Sequence, residues 1–313
     1  MLKRIGAEEG GEFKAVASGT LSSGKPVVVN SDGTVSVVST TTVTEAAGSI
    51  VEFEDVAVLD QGVTYDSAND RVVIAYRDDG NSSYGTAIVG TVSGDSISFG
   101  TPVVFESAYS DYFDPVFDSS NNKIVVAYRD LGNSSQGTAI VGTVSGTSIS
   151  FGSPTVFETG TTTYISTAFD TSANKVVIAF RDGSTNYGKA IVGTVSGTSI
   201  SFGSEATFSS ATTSHISVAY DVANNKSVIG YGISGSGSAK VATVSGTDIS
   251  FGSAAEFEAG QTIQTEAVYD PNIERVHIFY VDGGDNDKGK AVIGSVSGTG
   301  ISFTGQSTFY DSA

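Results

Sequence analysis

Two carboxylates and a ring of polar and aromatic side chains are the residues of this chain whose types and spacing could do chemistry. Both sets sit at fixed offsets from a repeated aromatic: Tyr65, Phe117, Phe169, Tyr220 and Tyr269. Five residues before it stand Asp60, Tyr112, Tyr164, His215 and Gln264; three before it stand Gly62, Asp114, Ser166, Ser217 and Glu266. Residues two apart on a strand share a face. Both rings are therefore expected to point into one channel, the first nearer the mouth. Asp114 and Glu266 are the carboxylates of the deeper ring, and a carboxylate pair across a channel is what glycoside hydrolysis uses, one as acid and one as base or nucleophile. They come from the second and fifth repeats, however, and no third group repeats the arrangement. Wet channel positions also tolerate polar residues, so no catalytic residue is expected. The mouth ring differs in every repeat. It is the expected contact for a sugar or receptor, led by Tyr112, Tyr164 and His215, with stacking and hydrogen bonds as the means.

Further clusters read as structural. Arg77-Asp78, Arg129-Asp130 and Arg181-Asp182 recur after a Val/Ile-rich run, with Val281-Asp282 in the fifth repeat. Adjacent side chains on a strand point to opposite faces, so these pairs are expected to bridge neighbouring repeats rather than themselves. Asp282, Asp285 and Asp287 place three carboxylates in one loop that could offer oxygens to Ca²⁺, but the loop lacks the spacing and final Glu of an EF-hand. An exposed polar turn is the better expectation there, and no cofactor is expected. His215 and His277 are too isolated to form a metal site. Asn81-Ser82-Ser83 and Asn133-Ser134-Ser135 match glycosylation acceptors, which matter only in a secreted chain. No phosphate loop, nucleophile elbow or zinc spacing is present.

The elements that must position these residues are set by a repeat. Val195-Ser196-Gly197-Thr198-Ser199-Ile200-Ser201-Phe202-Gly203 recurs with starts at Ser93, Ser145, Ser196, Ser245 and Ser297, spaced 52, 51, 49 and 52 residues apart. Periods of this size mark propellers, solenoids or arrays. Each repeat holds four β-like runs. In the third these are residues 164–169, 175–180, 189–195 and 199–208, separated by turn-rich breaks. Apolar spacing of 3.6 residues is not visible, which excludes a helical solenoid. The expected fold is all-β: a five-bladed β-propeller of four-stranded blades, preceded by a small β segment. Small residues such as Ile165-Ser166-Thr167-Ala168 suit a first strand lining the channel. The Lys175–Phe180 type of run suits a middle strand buried on both faces. Phe202 and Phe208 suit packing between blades at the outer edge. Six copies of one phenylalanine position exist (53, 105, 157, 208, 257, 309) for five repeats. The surplus copy, Ile50-Val51-Glu52-Phe53-Glu54, is expected to help close the ring against the last blade.

The 313 residues carry a net charge of −18 and no Cys or Trp. Residues 1–48 hold four basic and five acidic residues, and residues 49–313 hold 12 and 29, so the acidity belongs to the repeats. Such a surface repels phosphates and anionic lipid, and neither nucleic acid nor membrane is an expected partner. Lys3-Arg4 has no apolar run behind it and no stretch reaches ~20 apolar residues, so neither signal peptide nor membrane insertion is expected. Absence of Cys fits synthesis in a reducing cytoplasm. Two domains are expected: residues 1–48, a hairpin around Asn30-Ser31-Asp32-Gly33 with strand runs at 13–21, 26–30 and 34–38 and a linker at 40–48, and residues 49–313, the propeller.

The repeated Gly-Thr-Val-Ser-Gly-Thr-Ser-Ile-Ser-Phe-Gly, with Val-Val-Ile-Ala-Tyr-Arg-Asp, resembles repeats in structural proteins of tailed bacteriophages, marine and cyanobacterial ones in particular. Ala17-Ser18-Gly19-Thr20-Leu21 with Asn30-Ser31-Asp32-Gly33-Thr34-Val35 resembles segments that head phage tail or capsid-associated proteins. The resemblance implies a non-enzymatic virion component, a tail fibre, appendage or capsid decoration protein made in the host cytoplasm. It would dock other virion proteins through residues 1–48 and project an acidic propeller, oligomeric on the particle, for host attachment. Five repeats of this length are also similar to tachylectin-type lectins. Their sites use Trp, which this chain lacks, so no binding residue carries over. A glycan-binding lectin-like propeller is the alternative expectation, and a five-bladed glycoside hydrolase using Asp114 the second.

Overall fold

The computed structural model describes residues 20, 27–30, 34–37 and 48–311. The chain divides into two compact parts, Met1–Gly48 and Ser49–Ala313. In the first, Val27–Val29 pairs antiparallel with Val35–Val37. The strand run at 13–21 and the linker at 40–48 fall outside the described residues, apart from Thr20 and Gly48.

The second part is all-β and propeller-like, built from five similar units. The first unit has strands Val58–Asp66, Arg71–Asp78, Tyr84–Ser93 and Ser96–Phe99. Each pairs antiparallel with the next. The third unit repeats the pattern with Thr155–Asp170, Lys175–Asp182, Gly188–Ser196 and Ser199–Phe202. The tight Ser-Gly-Thr turns use a glycine at positive φ, as at Gly197 (φ 62°), where a side chain would be strained. After each Phe202-type residue the outer strand bulges and resumes. Ala206–Ser209 thus pairs with the third strand again.

Packing follows the period of two along each strand. Val63 and its equivalents face the preceding unit, and Thr64 and its equivalents face the following one. Four buried apolar clusters result, joining units one and two, two and three, three and four, and four and five. Among the described residues none joins unit five to unit one. Val218 and Ala267 are 7% and 6% exposed, but their equivalent Val63 in the first unit is 65% exposed. On the other face Ala168 and Ala219 are buried, while Val268 of the last unit is exposed. The five first strands still line one axis, because a single cavity touches all of them.

The expected ring closure is therefore corrected, and the residue types at the seam give the reason. In the first four units a Cβ on Gly100, Gly152, Gly203 or Gly252 would come within 1.8–2.0 Å of the carbonyl oxygen of Thr147, Thr198, Thr247 or Thr299 in the next unit. The fifth unit has Thr304 at this glycine's place, and the first has Asp95 in place of the threonine. Phe279 stands where the other units have Ala75, Ala127, Ala179 or Gly230. The joint used four times cannot form between the last unit and the first.

The surplus copy does not close the ring either. Phe53 packs on Tyr76 (5.3 Å) and Phe99 (5.7 Å) of the first unit, as Phe105 packs on Tyr128 and Phe151 of the second. The outer position of the last unit is filled by its own chain, through pairings such as Lys290 with Thr308.

Candidate functional site

The mouth ring lies on a bulge built into every first strand. Pairing with the second strand slips between Leu59 and Gly62, Asp111 and Asp114, Thr163 and Ser166, Ser214 and Ser217, and Ile263 and Glu266. At each slip the ring residue takes a left-handed backbone: Asp60 at φ 49°, Tyr112 at 53°, Tyr164 at 52°, His215 at 49° and Gln264 at 52°. None is a glycine, so five strained residues are held in register around one axis. Strain of this kind persists where surrounding structure over-determines it and re-aims a side chain. Three of the five form a continuous row. Ring centroids of Tyr112 and Tyr164 lie 5.7 Å apart, and those of Tyr164 and His215 5.0 Å apart. The Arg129 and Arg181 guanidiniums each lie 4.8 Å from the Tyr112 and Tyr164 ring centroids respectively. Burial, with Arg181 nearby, lowers the His215 pKa, so its imidazole stays neutral and stackable. Tyr164 and His215 line a cavity of about 290 Å³ shared with Gln261 and the Ile233–Gly235 loop residues. Asp60 is tied to Arg77 at 2.9 Å, and Gln264 lines a separate cavity beside Tyr310.

The arginines correct one expectation. They do not bridge neighbouring repeats through acidic partners. Arg129 forms a bidentate pair with Asp111, and Arg181 Nε donates to Thr163, each directly across the same unit's first two strands. The following aspartates cap the next loop instead: Asp130 accepts from the Asn133 N–H and Asp78 from the Asn81 N–H. The acidic loop of the fifth unit is likewise occupied by basic groups. Lys290 bonds both Asp282 and Asp285, and Lys288 bonds Asp285. No group of three or more His, Cys, Asp or Glu side chains placed to hold a metal ion is found among the described residues, and two of the three carboxylates considered for Ca²⁺, Asp282 and Asp285, are paired with lysines.

The deeper ring surrounds the central cavity of about 560 Å³, lined by Asp114, Ser166, Thr167, Ile216, Val218 and Glu266 among others. Most of its members latch one unit to the next. Asp114 Oδ2 accepts from the Thr167 N–H at 2.7 Å, and Ser166 Oγ accepts from the Val218 N–H at 3.1 Å. Gly62 holds the same place opposite Pro115, which has no N–H to give, and a Cβ there would sit 2.4 Å from the proline ring. Glu266 has no following unit to hold. Burial pushes the Asp114 carboxyl up to about 7 despite donors from Thr167 and Ser166, and the Glu266 charge adds to the rise. Burial also raises Glu266. Asp114 and Glu266, the carboxylates that the sequence placed in the deeper ring, line this one cavity from units two and five. The bulge that aims the mouth ring was missed, since its five residues share no chemical type.

No protein-family model matches the chain, and no curated protein matches it. Among solved structures it is similar to the exo-β-1,3-galactanase of Phanerochaete chrysosporium in complex with β-1,3-galactotriose. That match has 8% identity and a TM-score of 0.49, over 75% of this chain and 59% of that one. The same enzyme with galactose gives 9% identity and a TM-score of 0.48, over 76% and 59%. The chain spans about three-fifths of the length of these structures. Both are structures of a galactan-degrading enzyme, and neither is a virion protein. On that finding the expectation of a non-enzymatic virion component is overturned, and with it the phage tail-fibre and decoration roles.

Proposed function

We propose that the chain is a carbohydrate-active enzyme, a glycoside hydrolase whose five units act as the blades of one propeller, with Asp114 and Glu266 as its carboxylate pair. The observation that carries the reading is the character of Asp114. Ser166 makes the equivalent latch to the next unit with a neutral hydroxyl, so the joint does not need a carboxylate. An acid that keeps a large protonated fraction up to about pH 7 inside a cavity shared with a second carboxylate is the arrangement that separates acid from base. Asp114 would donate its proton to the glycosidic oxygen as the bond to the anomeric carbon breaks. Glu266 would act as the carboxylate, accepting a proton from water or attacking the anomeric carbon. The Tyr112–Tyr164–His215 row supplies flat surfaces on which sugar rings stack.

The test is release of reducing sugar from a panel of oligosaccharides that includes β-1,3-galactotriose. Asp114→Asn and Glu266→Gln are each expected to lower kcat by about 10²–10⁴-fold while the melting temperature stays within a few degrees. A panel hydrolysed equally well by wild type and both variants, or by none of the three proteins, would sink the proposal.

A further inference from the structure

Each unit has a socket beside its middle strand, and comparing the five sockets within this one chain exposes an imbalance. In the third unit Lys189 reaches Asp182 at 2.9 Å and Glu158 at 3.6 Å. In the fifth, Lys290 bonds Asp282 and lies 4.0 Å from Glu258, which also accepts from the Tyr280 hydroxyl, the Gln306 amide and the Gly260 N–H. Each ammonium group thus sits between these two carboxylates and meets a third at the rim, Glu205 in the third unit and Asp285 in the fifth. The fourth unit has Ser209, Ile233 and Ser238 at these places, with no charge on either side. Charge and counter-charge therefore rise and fall together in three units.

The first two units break the rule. They keep both carboxylates, Glu54 with Asp78 and Glu106 with Asp130, and keep the tyrosine hydroxyls of Tyr76 and Tyr128 bonded to the glutamates at 3.2 and 3.1 Å. The lysine's place is taken by Thr86 and Thr138. Register fixes the equivalence: Thr86 is opposite Tyr76 and Thr138 opposite Tyr128, as Lys189 is opposite Phe180 and Lys290 opposite Tyr280. These threonine side chains leave the strand where the lysines do, are 1% and 2% exposed, and their hydroxyl oxygens have no hydrogen-bond partner. Asp78 and Asp130 are each 7% exposed. A threonine is shorter than a lysine by the length of the ammonium arm, so its hydroxyl does not bring a positive charge to the carboxylates.

We propose that the sockets of units one and two each bind a hard metal cation at the position the lysine ammonium holds in units three and five. Every donor is an oxygen: two carboxylates, a tyrosine hydroxyl and a buried threonine hydroxyl. That set suits a hard cation of the Ca²⁺ kind and not a thiophilic one. A divalent ion would balance the two carboxylates fully, where a lysine balances one.

The experiment is thermal unfolding of the full chain with CaCl₂ titrated against NaCl at matched ionic strength, with calorimetric stoichiometry. Calcium is expected to raise the melting temperature by at least about 2 °C and to bind at two sites. The Thr86→Lys/Thr138→Lys chain, which copies units three and five, should melt higher without calcium and lose the response. Should that chain fail to fold, Glu54→Gln/Glu106→Gln, which keeps the shape, should lose the response as well. Equal shifts from matched NaCl would overturn the proposal, as would a calcium response that survives in either double variant.

Discussion

The backbone N–H of Thr167 donates to Asp114 Oδ2 at 2.7 Å across the joint between the second and third units. One carboxyl thus serves two ends: it fastens neighbouring units, and it faces the central cavity with Glu266. The fastening favours the ionised form, while burial opposes it and wins, leaving the group near pH 7.

A pH dependence of stability follows from that balance. The folded pKa of Asp114 lies above its unfolded value of 3.8. The stability it contributes is complete below the unfolded pKa and lost as pH rises through about 7. The melting temperature is expected to fall across that window. The part owed to Asp114 is on the order of 1–3 kcal/mol, reduced from the full shift because the group borders a wet cavity. Asp114→Asn should flatten that part of the curve, and parallel wild-type and variant curves from pH 4 to 8 would refute it. The alkaline limb of the catalytic pH profile should follow the same group, with kcat falling above about pH 7.

What was legible in the sequence was whatever repeats by residue type. Val176, Val177 and Ile178 are wholly buried, as their continuous apolar run required. The Gly197-type turns and the Phe202 packing were equally plain. The bulge at Tyr112, Tyr164 and His215 was not, because it is fixed by backbone pairing and each unit fills it with a different side chain. The open seam was written in single departures, Thr304 for a glycine and Phe279 for an alanine, which look like noise until the neighbour they would strike is known. The ion pairs of the Asp282 loop were hidden for a related reason. Its partner Lys290 is on the next strand, eight residues away, and sequence alone does not show that it folds back.

The glycine after each outer-strand phenylalanine is expected to be intolerant in the first four units and dispensable in the fifth. A Cβ at Gly152 would sit 2.0 Å from the Thr198 carbonyl oxygen. Backbone cannot yield as a flexible side chain can, so Gly152→Ala should cost about 2 kcal/mol or more. Thr304→Gly meets no such neighbour and should cost under about 1 kcal/mol. Denaturant unfolding of both variants checks the contrast, and similar losses would show that the fifth unit is packed like the others.

Lys189 should matter more than an exposed ion pair would. Its side chain is 15% exposed and serves Asp182, Glu158 and Glu205, of which Asp182 is 4% exposed. Burial works against the ionised Asp182, but the Lys189 ammonium and donors from Ser184 and Thr185 hold it below the usual carboxylate range. Lys189→Met leaves two carboxylates facing each other and should cost about 2–4 kcal/mol near pH 7. A depressed carboxylate stabilises above its unfolded pKa and loses that contribution as pH falls through the folded one. The penalty should therefore shrink toward acid pH, and a deficit independent of pH would point to lost packing instead.

The aromatic row sets the last expectation. Tyr164 stands between Tyr112 and His215, with Arg181 over its ring, and its backbone is held at φ 52° whatever its side chain does. Removing the ring interrupts the row at its centre but leaves the bulge in place. Tyr164→Ala is expected to weaken saccharide binding about tenfold, the value of one stacking contact of ~1.4 kcal/mol. Tyr164→Phe should bind nearly as the wild type does, because the face survives and only the hydroxyl is lost. If sugars pass this row on the way to Asp114, the alanine variant raises KM and leaves kcat close to its original value. An alanine variant with unchanged KM, or a phenylalanine variant as impaired as the alanine one, would remove the row from the substrate's path.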